Sequence, residues 1–170
     1  MATGDAYLKA GATVVFGSDP GDDVAWTTEG VTNGAGHQSA QYDLGDANVT
    51  ARPDEYRVRF YTQLQATTPV VGNTIDVYAK TSDSATLHLD NDDGTSDIAL
   101  SDSNKLKNLM YVGSAIVDEV TAGIEFVMTA TIRLPSQYVH FVLENNSGAD
   151  LSLTASATKL ELTPIYMQAQ

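Results

Sequence analysis

Two stretches of this chain alternate so strictly that they leave little choice of architecture. Tyr56-Arg-Val-Arg-Phe-Tyr-Thr-Gln-Leu64 sets Tyr56, Val58, Phe60 and Leu64 on one parity. Gln137-Tyr-Val-His-Phe-Val-Leu-Glu-Asn-Asn-Ser-Gly148 does the same with Val139, Phe141 and Leu143. A repeat of two is that of the pleated strand, which sends successive side chains to opposite faces, so each segment presents one face to a core and one to water. On a helix the same residues would scatter around the axis. Both segments are rich in aromatic and β-branched residues, and the second runs into Asn, Ser and Gly, which build turns.

Similar signals recur at 38–44, 74–80, 85–89, 109–120, 124–134 and 151–162. With 56–65 and 137–144 they make eight strands separated by Gly, Asn, Asp and Pro turns. The expected fold is all-β, an antiparallel β-sandwich of jelly-roll type. Its core is expected from Tyr56, Val58, Phe60 and Leu64, from Ile75, Val77 and Ala79, and from Ile124, Phe126, Met128, Ala130, Ile132 and Leu134. Val139, Phe141 and Leu143 complete it, with Tyr138 and His140 on the opposite, outer face. In the last segment the apolar row changes parity, from Leu151, Leu153 and Ala155 to Leu160 and Leu162. One regular strand cannot do this, so a bulge or corner is expected near 157–159. Asp102 or Ser103 can cap a short helical turn before Leu106 and Leu109.

Residues 1–36 read differently. Gly and Asp cluster from Gly17 to Asp23, and Thr32-Asn-Gly-Ala-Gly36 follows, around two short apolar islands at 12–16 and 24–28. These are loop signals, and they suggest an N-terminal arm or outer hairpin ahead of a sandwich domain spanning 37–170. Trp26, the single tryptophan, either packs on its own domain or anchors an interface.

Chemistry is harder to find. The chain has 170 residues, enough to bury a core without staples, and no cysteine, which removes disulfides and thiolate metal sites. Its 22 acids against 9 bases leave a net charge of −13, unfavourable for nucleic acid or an anionic bilayer. No apolar run is long enough to span a membrane, and Met1-Ala-Thr-Gly-Asp5 lacks a signal-peptide layout, so a soluble, unprocessed product is expected. Asp90-Asn-Asp-Asp-Gly94 has the composition of a calcium loop but the wrong register, since Leu89 and Leu100 would fall on ligand positions. Asp19, Asp22 and Asp23 form a second acidic loop. His37, His88 and His140 lack the spacing of zinc ligands. Nucleophile elbows and phosphate loops are absent, so no catalytic, metal or cofactor residues are assigned. Asn48-Val-Thr50 and Asn145-Asn-Ser147 match the glycosylation pattern. Arg57 and Arg59 project together from the outer face of one strand. With Arg52 they hold a third of the basic residues, which makes them the polar candidates for a partner interface.

From about 39 to 165 the chain resembles the jelly-roll decoration, or cement, proteins of tailed-bacteriophage capsids. The matching features are Gln41-Tyr-Asp-Leu-Gly45 ahead of the first long strand, and Thr81-Ser-Asp83 after Ile75-Asp-Val-Tyr-Ala-Lys80. The third is Leu134-Pro-Ser-Gln-Tyr-Val-His-Phe-Val-Leu-Glu-Asn-Asn-Ser-Gly148. The resemblance implies a non-enzymatic virion protein on the outer capsid surface, soluble before assembly. Such a protein, often a homotrimer, clamps junctions between major capsid proteins, and the resemblance implies that Tyr7, Leu8, Phe16 and Trp26 are apolar anchors by which the arm lies along the shell or reaches a neighbouring copy. A tail or fibre-base role belongs to the same class. The rival from another class is a carbohydrate-binding or adhesin sandwich, with Tyr61 and Tyr78 as a stacking platform for a glycan. A hydrolase comes third.

Overall fold

Burial alternates where the sequence alternates. The computed structural model describes residues 6–45, 52–65, 69–86 and 94–169. The strands are β1 (Ala6–Ala10), β2 (Val14–Gly17), β3 (Val24–Ala25), β4 (Gly36–Gln38), β5 (Tyr42–Asp43), β6 (Glu55–Gln63), β7 (Thr74–Ser82), β8 (Ile98–Ala99), β9 (Met110–Ile116), β10 (Glu125–Arg133), β11 (Tyr138–Asn146) and β12 (Lys159–Ala169). On β6, Tyr56, Val58 and Phe60 are buried while Arg57 and Arg59 are exposed. On β7, Ile75, Val77 and Ala79 face inward.

Two sheets pack face to face. Sheet A runs β10-β6-β12-β2-β3, with β1 added along β12, and sheet B runs β8-β4-β11-β7-β9, with β5 added along β11. Take β2, β4, β6, β7, β9, β10, β11 and β12 as the first to eighth strands. Sheet A then reads sixth-third-eighth-first and sheet B second-seventh-fourth-fifth, the winding of a jelly roll. The protein is an all-β sandwich of that type. Between the sheets lies one core, in which Phe16 meets Phe141 edge-on at 5.0 Å and Trp26 leans on Phe60 at 6.1 Å.

The expected arm is corrected by these pairings. β1 and β2 lie along β12, β3 pairs with β2, and β4 pairs with β11, so residues 6–38 contribute the first two strands of the roll. Val24, Trp26 and Thr28 are buried while Ala25 and Thr27 are exposed, a strand-like alternation surrounded by turn residues. Gly, Asp and Asn in the flanking turns outweighed two short islands in the sequence, although each island carries a large core side chain.

Other expectations resolve locally. The parity change in 151–162 occurs at a 3-10 turn, Ala155–Ala157, after an isolated bridge between Leu64 and Leu151. Leu151, Leu160 and Leu162 are core, whereas Leu153 is 71% exposed. The short helical turn is the 3-10 segment Ser103–Asn108, capped by the Asp102 carboxylate, which accepts from the Asn104 amide at 2.8 Å. Of the segment expected as a strand at 85–89, residues 85–86 form a bend and the rest lies outside the described residues. The turn after β11 is organised by buried Asn145. Its Nδ2 donates to the Val31 and Ala149 carbonyls and its Oδ1 accepts from Ser147, so this glycosylation pattern is a buried turn. Asn48 lies outside the described residues.

His140 departs most from expectation. It is 1% exposed, and Val139 to Leu143 are all buried although successive residues face opposite ways. β8 lies on one edge of sheet B and β9 on the other, so the connection between them must cross the sheet. It does so on the outer face, burying Leu106. The Gln38 amide, on that same face, donates to the Gly94 and Ser96 carbonyls at 2.9 and 3.0 Å. The β4–β11 part of sheet B is therefore covered on both sides, while Tyr111 and Ile116 on β9 stay exposed.

Candidate docking face

On sheet A the described residues leave the outer face of β6 and β10 open, while on β12 Thr163 is buried and bonded to Thr13. β6 lies between β10 and β12, and its register sets the rows of the outer face: Val127–Tyr61–Lys159, Thr129–Arg59–Glu161, Thr131–Arg57–Thr163 and Arg133–Glu55–Ile165. Arg57, Arg59, Arg133 and Lys159, four of the 9 basic residues, stand on this one face. They differ in how they are held. Lys159 is locked between Asp19 at 2.7 Å and Asp22 at 2.8 Å, and hydrogen bonds to those two carboxylates raise its pKa above the ordinary lysine value. Arg59 sits 5.1 Å over the Tyr61 ring, with Glu161 at 3.5 Å and Glu125 at 3.7 Å. Arg133 meets Glu55 at 3.2 Å. Arg57, exposed between Thr131 and Thr163, makes no ion pair among the described residues.

The residues expected to meet a partner are dispersed. Arg57 and Arg59 share the bare face. Tyr7 and Leu8 pair with Gln168 and Met167 in a ribbon of β1 and β12 that runs past Ile165, where β6 ends. Leu8 is 68% exposed there. Phe16 and Trp26 are 0% exposed, so their assignment as surface anchors is corrected: they are core side chains. Arg52 is corrected as well, because its guanidinium is turned inward. Nη1 donates to the Ser136 carbonyl at 2.6 Å and Nη2 to the Pro135 carbonyl, fastening the turn between β10 and β11. Tyr61 lies on sheet A and Tyr78 on sheet B, so the two cannot form one stacking platform.

The acidic loop at 17–23 does converge, but on an ammonium: Asp19 and Asp22 hold Lys159, and Asp23 accepts from the Val15 amide at 2.8 Å. Residues 90–93 of the other acidic loop, and His88, lie outside the described residues. His37 pairs with Asp97 at 2.8 Å, and the Thr27 amide and hydroxyl donate to the same carboxylate at 3.0 and 2.5 Å. Burial alone would raise the Asp97 pKa, but the hydrogen bonds from His37 and Thr27 outweigh it and hold it below its ordinary value. Among the described residues, no group of three His, Cys, Asp or Glu side chains is placed to hold a metal, and no helix is long and apolar enough to cross a membrane.

One cavity escaped sequence reading. Tyr42, Tyr56 and Tyr166, with Arg52, Pro53 and Pro164, line about 270 Å³ between the sheets. Burial pushes the Tyr56 hydroxyl up to about 12, so it is a neutral hydrogen-bonding group and not a base at ordinary pH. Its lining comes from segments scattered along the chain, which no motif could join. No family model matches this chain, and no curated protein is detectably similar to it.

Proposed function

We propose that this jelly roll is a structural, non-enzymatic virion protein that decorates the outer surface of a phage capsid and stabilises junctions between its major capsid proteins. The observation that carries this reading is the uncovered outer face of sheet A. It is broad and regular, it concentrates Arg57, Arg59 and Arg133 in a protein of net charge −13, and it leaves Arg57 without a counter-ion among the described residues. Arg is favoured where surfaces meet, because its planar fork bonds carboxylates and stacks on rings. An acidic patch on a shell subunit is the complementary partner. Jelly rolls commonly serve as viral and lectin modules, and the sequence likeness over 39–165 favours the viral use. Copies joined as a homotrimer would bind several subunits at once and hold them by effective concentration, without any single tight contact.

Sedimentation of purified protein with expanded phage shells tests the proposal. Wild-type protein pellets with the shells, as a trimer by light scattering, and the double variant Arg57→Glu/Arg59→Glu stays in the supernatant while remaining folded. Equal pelleting of the double variant would remove sheet A from the interface. Failure of wild-type protein to pellet would remove the capsid reading.

A further inference from the structure

A second surface lies on the part of sheet B that the crossing connection leaves accessible, and it begins with a bulge. β9 pairs with β7 in regular register from Ile116 to Gly113, opposite Thr74 to Val77. The next partners are then Tyr111 and Tyr78, so Val112 is an extra residue. The bulge lets Val112 drop into the core at 9% exposure and turns Tyr111 onto the outer face beside Tyr78, where it is 57% exposed. Bulges often re-aim a side chain in this way next to a functional site.

Tyr111 is exposed but not loose. Ser114 Oγ donates to Asp76 Oδ1. Because a serine has one hydroxyl proton, the Tyr111 hydroxyl must be the donor in its own bond to Ser114. Asp76 Oδ2 accepts from Thr74 Oγ1 at 3.2 Å and from Asn146 Nδ2 at 3.3 Å, so the relay ends on a carboxylate held on several sides. Tyr78 meets the Tyr111 ring edge-on, with centroids 5.7 Å apart and planes at 65°. An exposed tyrosine on an edge strand ordinarily samples several rotamers. Here the hydroxyl bond to Ser114 and the contact with Tyr78 both restrain a ring that is 57% exposed, so accessible aromatic surface is held in place in advance of any ligand.

The surroundings select the ligand. Asp76 and Glu144 face each other across β7 and β11 on this side of the sheet and outnumber Lys80 on the same face of β7, in a protein of net charge −13, so an anionic ligand is disfavoured and a nucleic acid most of all. Glu144 and Asn146 stand on the same face across β7 from β9, where the Glu144 carboxylate and the Asn146 amide oxygen offer acceptors one and two rows from Tyr111. An apolar disc rimmed by acceptors matches a molecule with one C–H face and a periphery of hydroxyl donors. We infer that the Tyr111–Ser114–Asp76 surface of sheet B is a binding site for a neutral saccharide, whose pyranose face stacks on Tyr111 while its hydroxyls donate to Glu144 and Asn146. This site is separate from the sheet A face and does not depend on the capsid reading.

The test is an amide NMR titration of the full chain with cellohexaose, maltohexaose, chitohexaose and mannohexaose at millimolar concentration. At least one of these neutral oligomers is expected to give saturating shifts clustered on Asp76, Tyr111, Ser114 and Asn146. Tyr111→Ala should weaken that binding by at least about tenfold, the loss of one stacking contact. Ser114→Ala, which keeps the ring but frees it, should weaken it by a smaller factor, and Tyr61→Ala on sheet A should leave it unchanged. Ser114→Ala carries the comparison should Tyr111→Ala fail to fold. No shifts with any of the four oligomers, shifts centred elsewhere, or undiminished binding by both sheet B variants would each overturn the inference. Tyr111→Ala protein should still pellet with capsid shells, which keeps failure here distinct from failure of the capsid reading.

Discussion

The outer faces of the two sheets are built from the same alternating strands and meet opposite fates. On sheet A the outward residues of β6 and β10 are mostly Thr, Arg and Glu, with Tyr61 and Val127 among them, and they are exposed or half-buried, whereas Thr163 on β12 is buried. On sheet B the outward residues of β11 include His140 and Val142, which are buried, and residues 94–96, just ahead of β8, are fastened to the outer face at Gln38, the partner of Val142. A strand buried on both faces reads as a continuous apolar run, and one buried on a single face alternates. β11 reads Tyr-Val-His-Phe-Val-Leu, close to continuous, whereas β6 reads Tyr-Arg-Val-Arg-Phe. The contrast leaves the outer face of β6 and β10 open among the described residues and buries much of the outer face of sheet B.

The comparison can be broken most severely at the N-terminal strands. Deleting residues 1–36 removes β2, β3, Phe16 and Trp26 from the roll. The expected result is loss of cooperative unfolding by circular dichroism, and a truncated protein that melts normally would restore the separate arm. Trp26→Ala asks the same question with one side chain. A fully buried aromatic of this size should cost about 3–5 kcal/mol in urea unfolding, while a surface anchor would cost almost nothing.

Untying the β4 edge of sheet B is the next largest effect. Asp97→Ala leaves the Thr27 amide and His37 without their shared acceptor, and about 1–3 kcal/mol of stability should be lost at neutral pH. Because the folded-state pKa of Asp97 is depressed, its contribution is present above the unfolded value of about 4 and disappears as pH falls through the lower folded value. Wild-type and Asp97→Ala midpoints should therefore converge in acid. A gap that stays constant from neutral pH to about pH 2 would contradict that origin.

The smallest stability effect belongs to the bare face. Arg57→Glu, with no ion pair to break among the described residues, should shift stability by less than about 0.5 kcal/mol, and Arg59→Ala by less than about 1 kcal/mol, since both lie in high dielectric. A larger change in either would mean that sheet A is held by its charges and is not simply a free surface. These variants combine a small stability change with a large expected change in shell binding, the inverse of Trp26→Ala.

Much of this was legible beforehand because alternation is a local property. The inward rows of β6, β7, β10 and β11, the all-β class, the capped turn after Asp102 and the corner before β12 all follow from side-chain period, capping and parity within a few residues. Arg57 and Arg59 were legible as outward neighbours for the same reason. Long-range placement was not. Side-chain period dictates which residues of each long strand turn inward and says nothing of what lies against their outward side. That Phe16 and Trp26 fill the core, that Arg52 clamps the 134–136 turn, that His140 is buried and that Tyr111 is turned to Tyr78 by one extra residue emerges from the packed fold alone. Each depends on a contact between segments far apart in the chain, where closure entropy, winding order and the space left between two sheets decide the outcome.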